Sequence, residues 1–473
     1  MWGSVSKRGK KAETIENASG GRYHGGLNHG KEKCILGSKA EYRLQDVKEP
    51  NLYRGVFPYT ELPRVEFEDA APSPAPAKEF WVTDTTFRDG QQARPPYTVK
   101  QIVDLYELES KLDGGAGLIR ESEFFIYSKK DRQAIEKCLE LGREYPHVTG
   151  WIRAARGDFK LVKEMNLAET GILTSCSDYH IFLKLKKTRK QAMEQYLEVV
   201  RAAMDEGIRP RCHMEDITRA DFYGFVVPFA IELMKLRSDS GTDIKIRLCD
   251  TMGYGVPWAQ AKLPRSVPKL VRGLIEDAGV PGELLEWHGH NDFHKVLTNP
   301  VTAWLYGCAG CNASLLGIGE RTGNTPLEAM VIEAAQLSGM HPKVCYPVIT
   351  EIAKYFTNEI GYEIPHNYPL VGRDFNTTRA GIHADGLLKS KEIYSCFDTM
   401  KILNRSMGVA ITDKSGAAGI KHWIEINYGL NVAKDNPRLS AIRSRVDKEY
   451  EEGRTTAISD EEIHAWYKKA FEK

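Results

Sequence analysis

From Phe80 onward the chain repeats one unit: a short run rich in β-formers, a loop, then a stretch with helical periodicity. Eight runs are expected as strands: 80–84 (FWVTD), 117–122 (GLIRES), 148–154 (VTGWIRA), 170–175 (TGILTS), 209–215 (RPRCHME), 244–250 (IKIRLCD), 284–290 (LLEWHGH) and 313–319 (ASLLGIG). Helical text such as 99–112, 189–207 and 326–339 separates them. Strands that alternate with helices pair in parallel and need both faces covered. Eight β/α units in roughly 260 residues fit a (β/α)8 TIM barrel, an α/β fold, over 79–340; an open doubly wound sheet usually has fewer strands and a glycine-rich nucleotide turn after the first.

The flanks differ from the barrel. Residues 1–78 form an N-terminal extension that ends in the proline-rich linker APSPAPAK (71–78), and 51–67 carries enough aromatic and aliphatic residues to dock on a barrel or a partner subunit. Residues 341–473 read as mostly helical accessory subdomains, with a helix start at Ser459 and Glu462 at the capping-box spacing.

With 42% apolar and 27% charged residues and a net charge of +1, the composition argues for a small-molecule enzyme and against a nucleic-acid partner. No run approaches about 18 consecutive apolar residues and the N-terminus lacks a signal-like apolar stretch, so no membrane association and a cytoplasmic location are expected. The nine cysteines are scattered without a disulfide framework. Cys308 and Cys311 would make half a zinc site, but no second pair completes four ligands, and buried packing is the expectation.

His288 and His290 stand two apart at the end of the seventh strand, so both side chains point to one face, the barrel interior near its C-terminal mouth. Alone, an HxH pattern is as compatible with a surface pair. The first strand, however, runs into DTTFRDGQQ (84–92), which brings Arg88 and Asp89 to the same mouth, where barrel active sites assemble. Two imidazoles and one carboxylate suit a divalent metal and leave positions open for a bidentate 2-oxo acid and water.

DTTFRDGQQ, the HGHND around the two histidines, and GIGERTGNTPLE (317–328) together resemble the DRE-TIM metallolyase superfamily, in its Claisen-condensing branch. The resemblance implies Asp89, His288 and His290 as metal ligands, with Asn324 close to the metal. The metal would be Mn²⁺, with Mg²⁺, Co²⁺ or Zn²⁺ as alternatives, and acetyl-CoA the co-substrate. Arg88 would stabilise the developing enolate or alkoxide. Glu215, in HMEDITR, matches a family glutamate, and GIHADG supplies His383 with Tyr394 eleven residues on. The three are expected as an acid/base relay, and a homodimer is expected because the family's post-barrel segments often complete a neighbour's site. The chain departs from the family at Phe87 and Gln91, and at Asn376, Thr377 and Thr378, where another histidine is usual.

The substrate side reads as polar. Arg120, Arg153 and Arg156 would face a second carboxylate in bidentate fashion, or else stand on solvated loops, while Asp250 and Thr251 would line the oxo-acid pocket. A dicarboxylic 2-oxo acid is therefore expected. NLYRGVFPYTELP, TTFRDGQQARPPYT and LIRESEFF resemble the Re-citrate synthase branch, which implies an acyltransferase joining acetyl-CoA to oxaloacetate. Homocitrate, phosphonomethylmalate and isopropylmalate synthases are the neighbouring alternatives. From other classes stand a hydroxymethylglutaryl-CoA-lyase-like C–C cleavage, which the long post-barrel text argues against, and a non-catalytic acyl-CoA sensor, which need not keep a metal site.

Overall fold

The structure, a computed structural model, describes residues 41–472; the first 40 residues of the expected extension, with Cys34, lie outside them. Eight parallel strands close into one barrel: β1 (Trp81–Asp84), β2 (Ile119–Phe125), β3 (His147–Arg153), β4 (Glu169–Ser175), β5 (Arg209–Glu215), β6 (Lys245–Asp250), β7 (Leu285–Gly289) and β8 (Gly310–Ala313), with β8 pairing back onto β1. Helices run between them, and local chemistry sets their ends. Thr98 and Gln101 form a capping box at the start of Val99–Asp113, and Gly114, at φ 61°, closes it in the left-handed conformation. That helix buries Ile102, Leu105, Tyr106 and Leu112 against the barrel.

The eighth strand corrects the reading of the sequence. The strand is Gly310–Ala313, and all of the expected 313–319 except Ala313 belongs to the loop beyond it, turned by Leu316 at φ 56°. Trp81 decides the register. It lies opposite Gly310, where a Cβ would meet its ring at 2.5 Å, so the strand must begin on a glycine that carries no β-forming signal.

The barrel interior is charged. Inward-facing Glu121, Glu123, Glu169 and Glu286 interleave with Arg211, Lys245 and Arg247, whose cationic nitrogens reach them at hydrogen-bonding distance or just beyond. Buried ion pairs add little net stability, yet removing one partner typically costs about 3–5 kcal/mol. Such a core trades apolar packing for fixed charge beneath the mouth. The outward side chains of the strands, Val82, Ile152, Ile172, Met214, Ile246 and Leu248, supply the apolar layer under the helices.

Two further parts bear on the mouth. Residues 51–67 clasp its loops: Phe57 is buried against Tyr254, Arg265 donates to the carbonyls of Pro63 and Arg64, and Tyr179 Oη donates to the Leu52 carbonyl. After the barrel, the helix Val348–Tyr355 joins the barrel core, while the helices Gly416–Tyr428, Pro437–Glu451 and Asp460–Phe471 build a second core around Trp423, Ile442 and Trp466. Ser459 and Glu462 form a capping box there. Among the described residues, no helix is long and apolar enough to cross a membrane.

Candidate active site

At the C-terminal mouth of the barrel, β1 leads into a tight turn in which the Thr85 carbonyl accepts from the backbone N–H groups of Arg88 and Gly90. The turn places Asp89 at the start of the one-turn helix Asp89–Gln92, with its carboxylate buried. Arg88 Nη1 donates to Asp89 Oδ1 at 2.9 Å, its Nε lies 3.5 Å from Glu123, and its guanidinium stacks 4.7 Å from the Trp151 ring. Three contacts, one from each of three elements, thus fix this cation.

His288, on β7, and His290, just beyond it, converge on Asp89, and one ligand atom of each lies within 4.8 Å of the others. The tautomer of His288 follows from its neighbour. Asn312 uses its amide nitrogen on the Thr83 carbonyl, so its Oδ1, 2.7 Å from His288 Nδ1, must accept, and the His288 proton sits on Nδ1. The lone pair of Nε2 is then free, and it faces His290 Nε2 at 3.3 Å. Burial, reinforced by the mutual proximity of the rings, holds His288 well below the ordinary histidine range; burial also lowers His290, with Asp89 opposing. For Asp89, burial pushes upward, but the Arg88 guanidinium leads the neighbours that outweigh it and hold the carboxyl at about 2. Asp89 Oδ2 is buried without a hydrogen-bond partner. Two neutral imidazole nitrogens, an unpartnered carboxylate oxygen and an outer-shell amide on one imidazole make a donor set that could hold a divalent metal ion.

Asn324 belongs to the same place. Its backbone bridges to His290, its Nδ2 donates to the Ile318 carbonyl at 3.2 Å, and its Oδ1 is buried and unpaired. Gly319 admits the amide, since a Cβ there would lie 2.5 Å from it.

Arg88, Asp89, His288 and His290 wall a cavity of about 190 Å³, which Trp151, His213, Glu215, Arg247, Thr251 and Glu320 complete. Glu215 accepts from Ser175 Oγ, from Lys184 Nζ at 3.2 Å, and lies 3.0 Å from His180 Nδ1. Burial raises it, but His180 and the other donors prevail and hold it at about 2. Thr251 accepts from the Asp216 backbone through its hydroxyl.

The structure does not bring the remaining expected residues into this cavity. Arg120 is corrected outright: it stands at the start of β2, at the opposite end of the barrel, paired with Glu79 at 2.6 Å. Inward-facing positions on that strand are Glu121 and Glu123, which leaves Arg120 out of phase. Arg153 and Arg156 lie on the solvated rim, 66% and 65% exposed in their side chains, paired with Asp158 and Glu198. Asp250 faces away from the cavity and accepts from Thr218 Oγ1 and the Gly255 N–H, holding the loop after β6. Its burial raises it to about 6, though those donors work against the shift. His383 and Tyr394 lie against one another, ring centroids 4.4 Å apart and tilted by 43°, exposed and not lining the cavity of their own chain.

Trp151, His213, Arg247 and Asn312 were not singled out in the sequence. Counting back by two from Glu215 and from Cys249 places His213 and Arg247 on the inner face, which was the available signal.

The model of the HMGL-like family matches residues 79–355. A citrate (Re)-synthase from Syntrophus aciditrophicus is 61% identical over 432 residues, covering 90% of this chain and 69% of that protein. A citrate (Re)-synthase from Clostridium kluyveri is 53% identical, covering 89% of this chain and 94% of that protein. A 2-phosphinomethylmalate synthase from Streptomyces hygroscopicus is 36% identical, covering 90% and 98%.

Proposed function

The chain belongs to the HMGL-like family, the DRE-TIM metallolyases, and on that premise we propose that it condenses acetyl-CoA with oxaloacetate and water to give citrate and CoA, as a citrate (Re)-synthase. The observation that carries this reading is the 61% and 53% identity, over nine-tenths of the chain, to two enzymes of that name. A methyl proton leaves the acetyl group, the resulting enolate carbon bonds to the ketone carbon of oxaloacetate, and water then cleaves the thioester to release CoA.

Asp89, His288 and His290 would hold a divalent cation, Mn²⁺ in our reading, with Asn324 beside it. Such an ion supplies Lewis-acid stabilisation of charge that gathers on the ketone oxygen. Arg88 presents a clamped guanidinium next to the same place, and a donor already oriented toward developing charge costs no reorganisation when that charge appears. Glu215, ionised and held by three donors, is the fixed end of the proton relay. His383 and Tyr394 of the partner subunit complete it, which is why a homodimer is part of the proposal; their exposed side-by-side pairing is what supports this. Thr251 shapes the acid's side of the cavity. A cytoplasmic setting accords with the unpaired cysteines among the described residues.

The test is CoA-thiol release from acetyl-CoA with oxaloacetate, 2-oxoglutarate, 2-oxoisovalerate and a phosphinyl analogue of pyruvate, each with Mn²⁺ and with EDTA. Release with oxaloacetate at least about tenfold above the others, abolished by EDTA, is expected; a margin of that size is within reach of a pocket that senses one methylene or one polar group. Preference for another acid would overturn the substrate, and absence of release with every acid would overturn the condensation.

A further inference from the structure

We propose that Arg247 reads the second carboxylate of the 2-oxo acid and thereby sets the preference for a dicarboxylic substrate, an assignment that rests on the reaction proposed above. A substrate carboxylate carried into a closed cavity needs a charged partner, and a planar guanidinium meets it with parallel donors. The cations near the mouth can be sorted by what they already hold. Arg88 serves Asp89 and Glu123. Arg321 is forked onto Asp292 and donates to the Thr251 carbonyl, and Arg219 is forked onto Asp216. Arg211 lies deeper and does not line the cavity; its two terminal nitrogens are shared among Glu121, Glu169, Thr149 and Thr83.

Arg88 and Arg211 each leave a buried Nε without a hydrogen bond, whereas Arg247 is the one of these arginines whose buried free nitrogen is a terminal one. It lines the cavity and is 1% exposed. Its Nε donates to Glu286 at 2.6 Å and its Nη1 pairs with Glu123 at 2.6 Å, but its Nη2 is buried with no partner. An unsatisfied buried guanidinium nitrogen is costly, and a site that keeps one has a use for it. The two glutamates hold the plane of the group and leave one terminal nitrogen free. Glu123 is moreover shared with Arg88 and Arg211, so it cannot offset Arg247 alone.

The position suits the task. In the ladder between β6 and β7, Arg247 stands beside Glu286, and Cys249 beside His288. Arg247 is therefore one inward layer below the metal-binding histidine, about 6.6 Å along the strand at 3.3 Å per residue. An acid whose 2-oxo end lies against Arg88 and His288 sends its far end toward that floor.

Steady-state kinetics of the full chain with Mn²⁺, using oxaloacetate and 2-oxobutyrate, an acid of the same length without the second carboxylate, tests the assignment. Arg247→Gln is expected to raise the KM for oxaloacetate at least about a hundredfold and to bring the oxaloacetate to 2-oxobutyrate ratio of kcat/KM near unity, because a site built for a polar group discriminates strongly only while its partner is present. Arg247→Lys keeps a charge between the two glutamates and hence the fold, but loses the free terminal nitrogen; a rise of at least tenfold is expected, and it is read where Arg247→Gln does not fold. A KM for oxaloacetate within threefold of the unmodified enzyme in the folded variants, or an equal loss with both acids, would overturn the assignment as a purely structural ion pair. The unmodified enzyme separates this failure from that of the reaction: if it does not favour oxaloacetate to begin with, the reading of the reaction falls, whatever the variants do.

Discussion

Asn312→Leu keeps the branched shape of the side chain but removes both its acceptor and the amide that donates to the Thr83 carbonyl, and its effect on the metal site can be worked from the first of these contacts. Asn312 Oδ1 holds the Nδ1 proton of His288 at 2.7 Å in a fully buried setting. Without it, nothing keeps the Nε2 lone pair aimed at Asp89 and His290, and the Nδ1–H is left unpaired. Loss of such an outer-shell partner typically lowers metal affinity about 10–100-fold, or roughly 1.4–2.7 kcal/mol. The unpaired N–H adds a cost of about 1–3 kcal/mol to the metal-free fold. Asn312→Asp should act oppositely on affinity, because a carboxylate makes the imidazole a stronger donor. Calorimetric titration of EDTA-treated protein with Mn²⁺ reads the affinity, and thermal unfolding of the same samples reads the stability. An affinity for Asn312→Leu within threefold of the unmodified protein would refute the reasoning, since His288 would then be oriented by packing alone.

Three other outcomes follow from the same geometry. Arg88→Gln should lower kcat/KM about 10²–10³-fold, or roughly 2.7–4 kcal/mol, as expected for removal of one preorganised donor; kinetics at saturating Mn²⁺ checks it. Phe57→Ala empties the contact with Tyr254 and should destabilise the clasp of residues 51–67 by about 3 kcal/mol, read as a lower Tm and faster proteolysis near that segment. Glu328, buried beneath the loop at Leu316, is raised by burial to about 7. Its folded value lies above the unfolded one of about 4.3, so its stabilising contribution is complete below about 4.3 and is lost as pH rises through 7. The Tm of the unmodified protein relative to Glu328→Gln should therefore fall between pH 5 and pH 8; a constant difference would show that Glu328 does not titrate there.

The barrel was legible because seven of its strands carry runs of β-forming residues, and the metal trio because Asp89, His288 and His290 sit at strand ends, where topology leaves one destination for them. The eighth strand was misplaced because its first residue answers to Trp81, a neighbour distant in sequence. The arginines failed for a reason of phase. On β2, Arg120 sits among Glu121 and Glu123, and a charged barrel interior erases the apolar alternation that tells inside from outside. The same charge hid Arg247, which reads as a surface residue until its glutamate partners on β2 and β7 are seen. Arg153 has the parity of Trp151, but it is the last residue of β3 and turns to Asp158. His383 and Tyr394 lie side by side away from the cavity, and nothing in one chain's sequence tells which copy's cavity such a pair serves.

The most direct measurement follows the acetyl carbon. Acetyl-CoA labelled at the carbonyl is incubated with oxaloacetate, enzyme and Mn²⁺, and the citrate formed is cleaved by a lyase that removes only the arm opposite to the one built by attack on the Re face. Citrate that forms with Mn²⁺ but not with EDTA, and whose label stays in the recovered oxaloacetate, is the predicted result. Label released as acetate would contradict the face of attack, and no citrate from metal-loaded, folded enzyme would contradict the condensation itself.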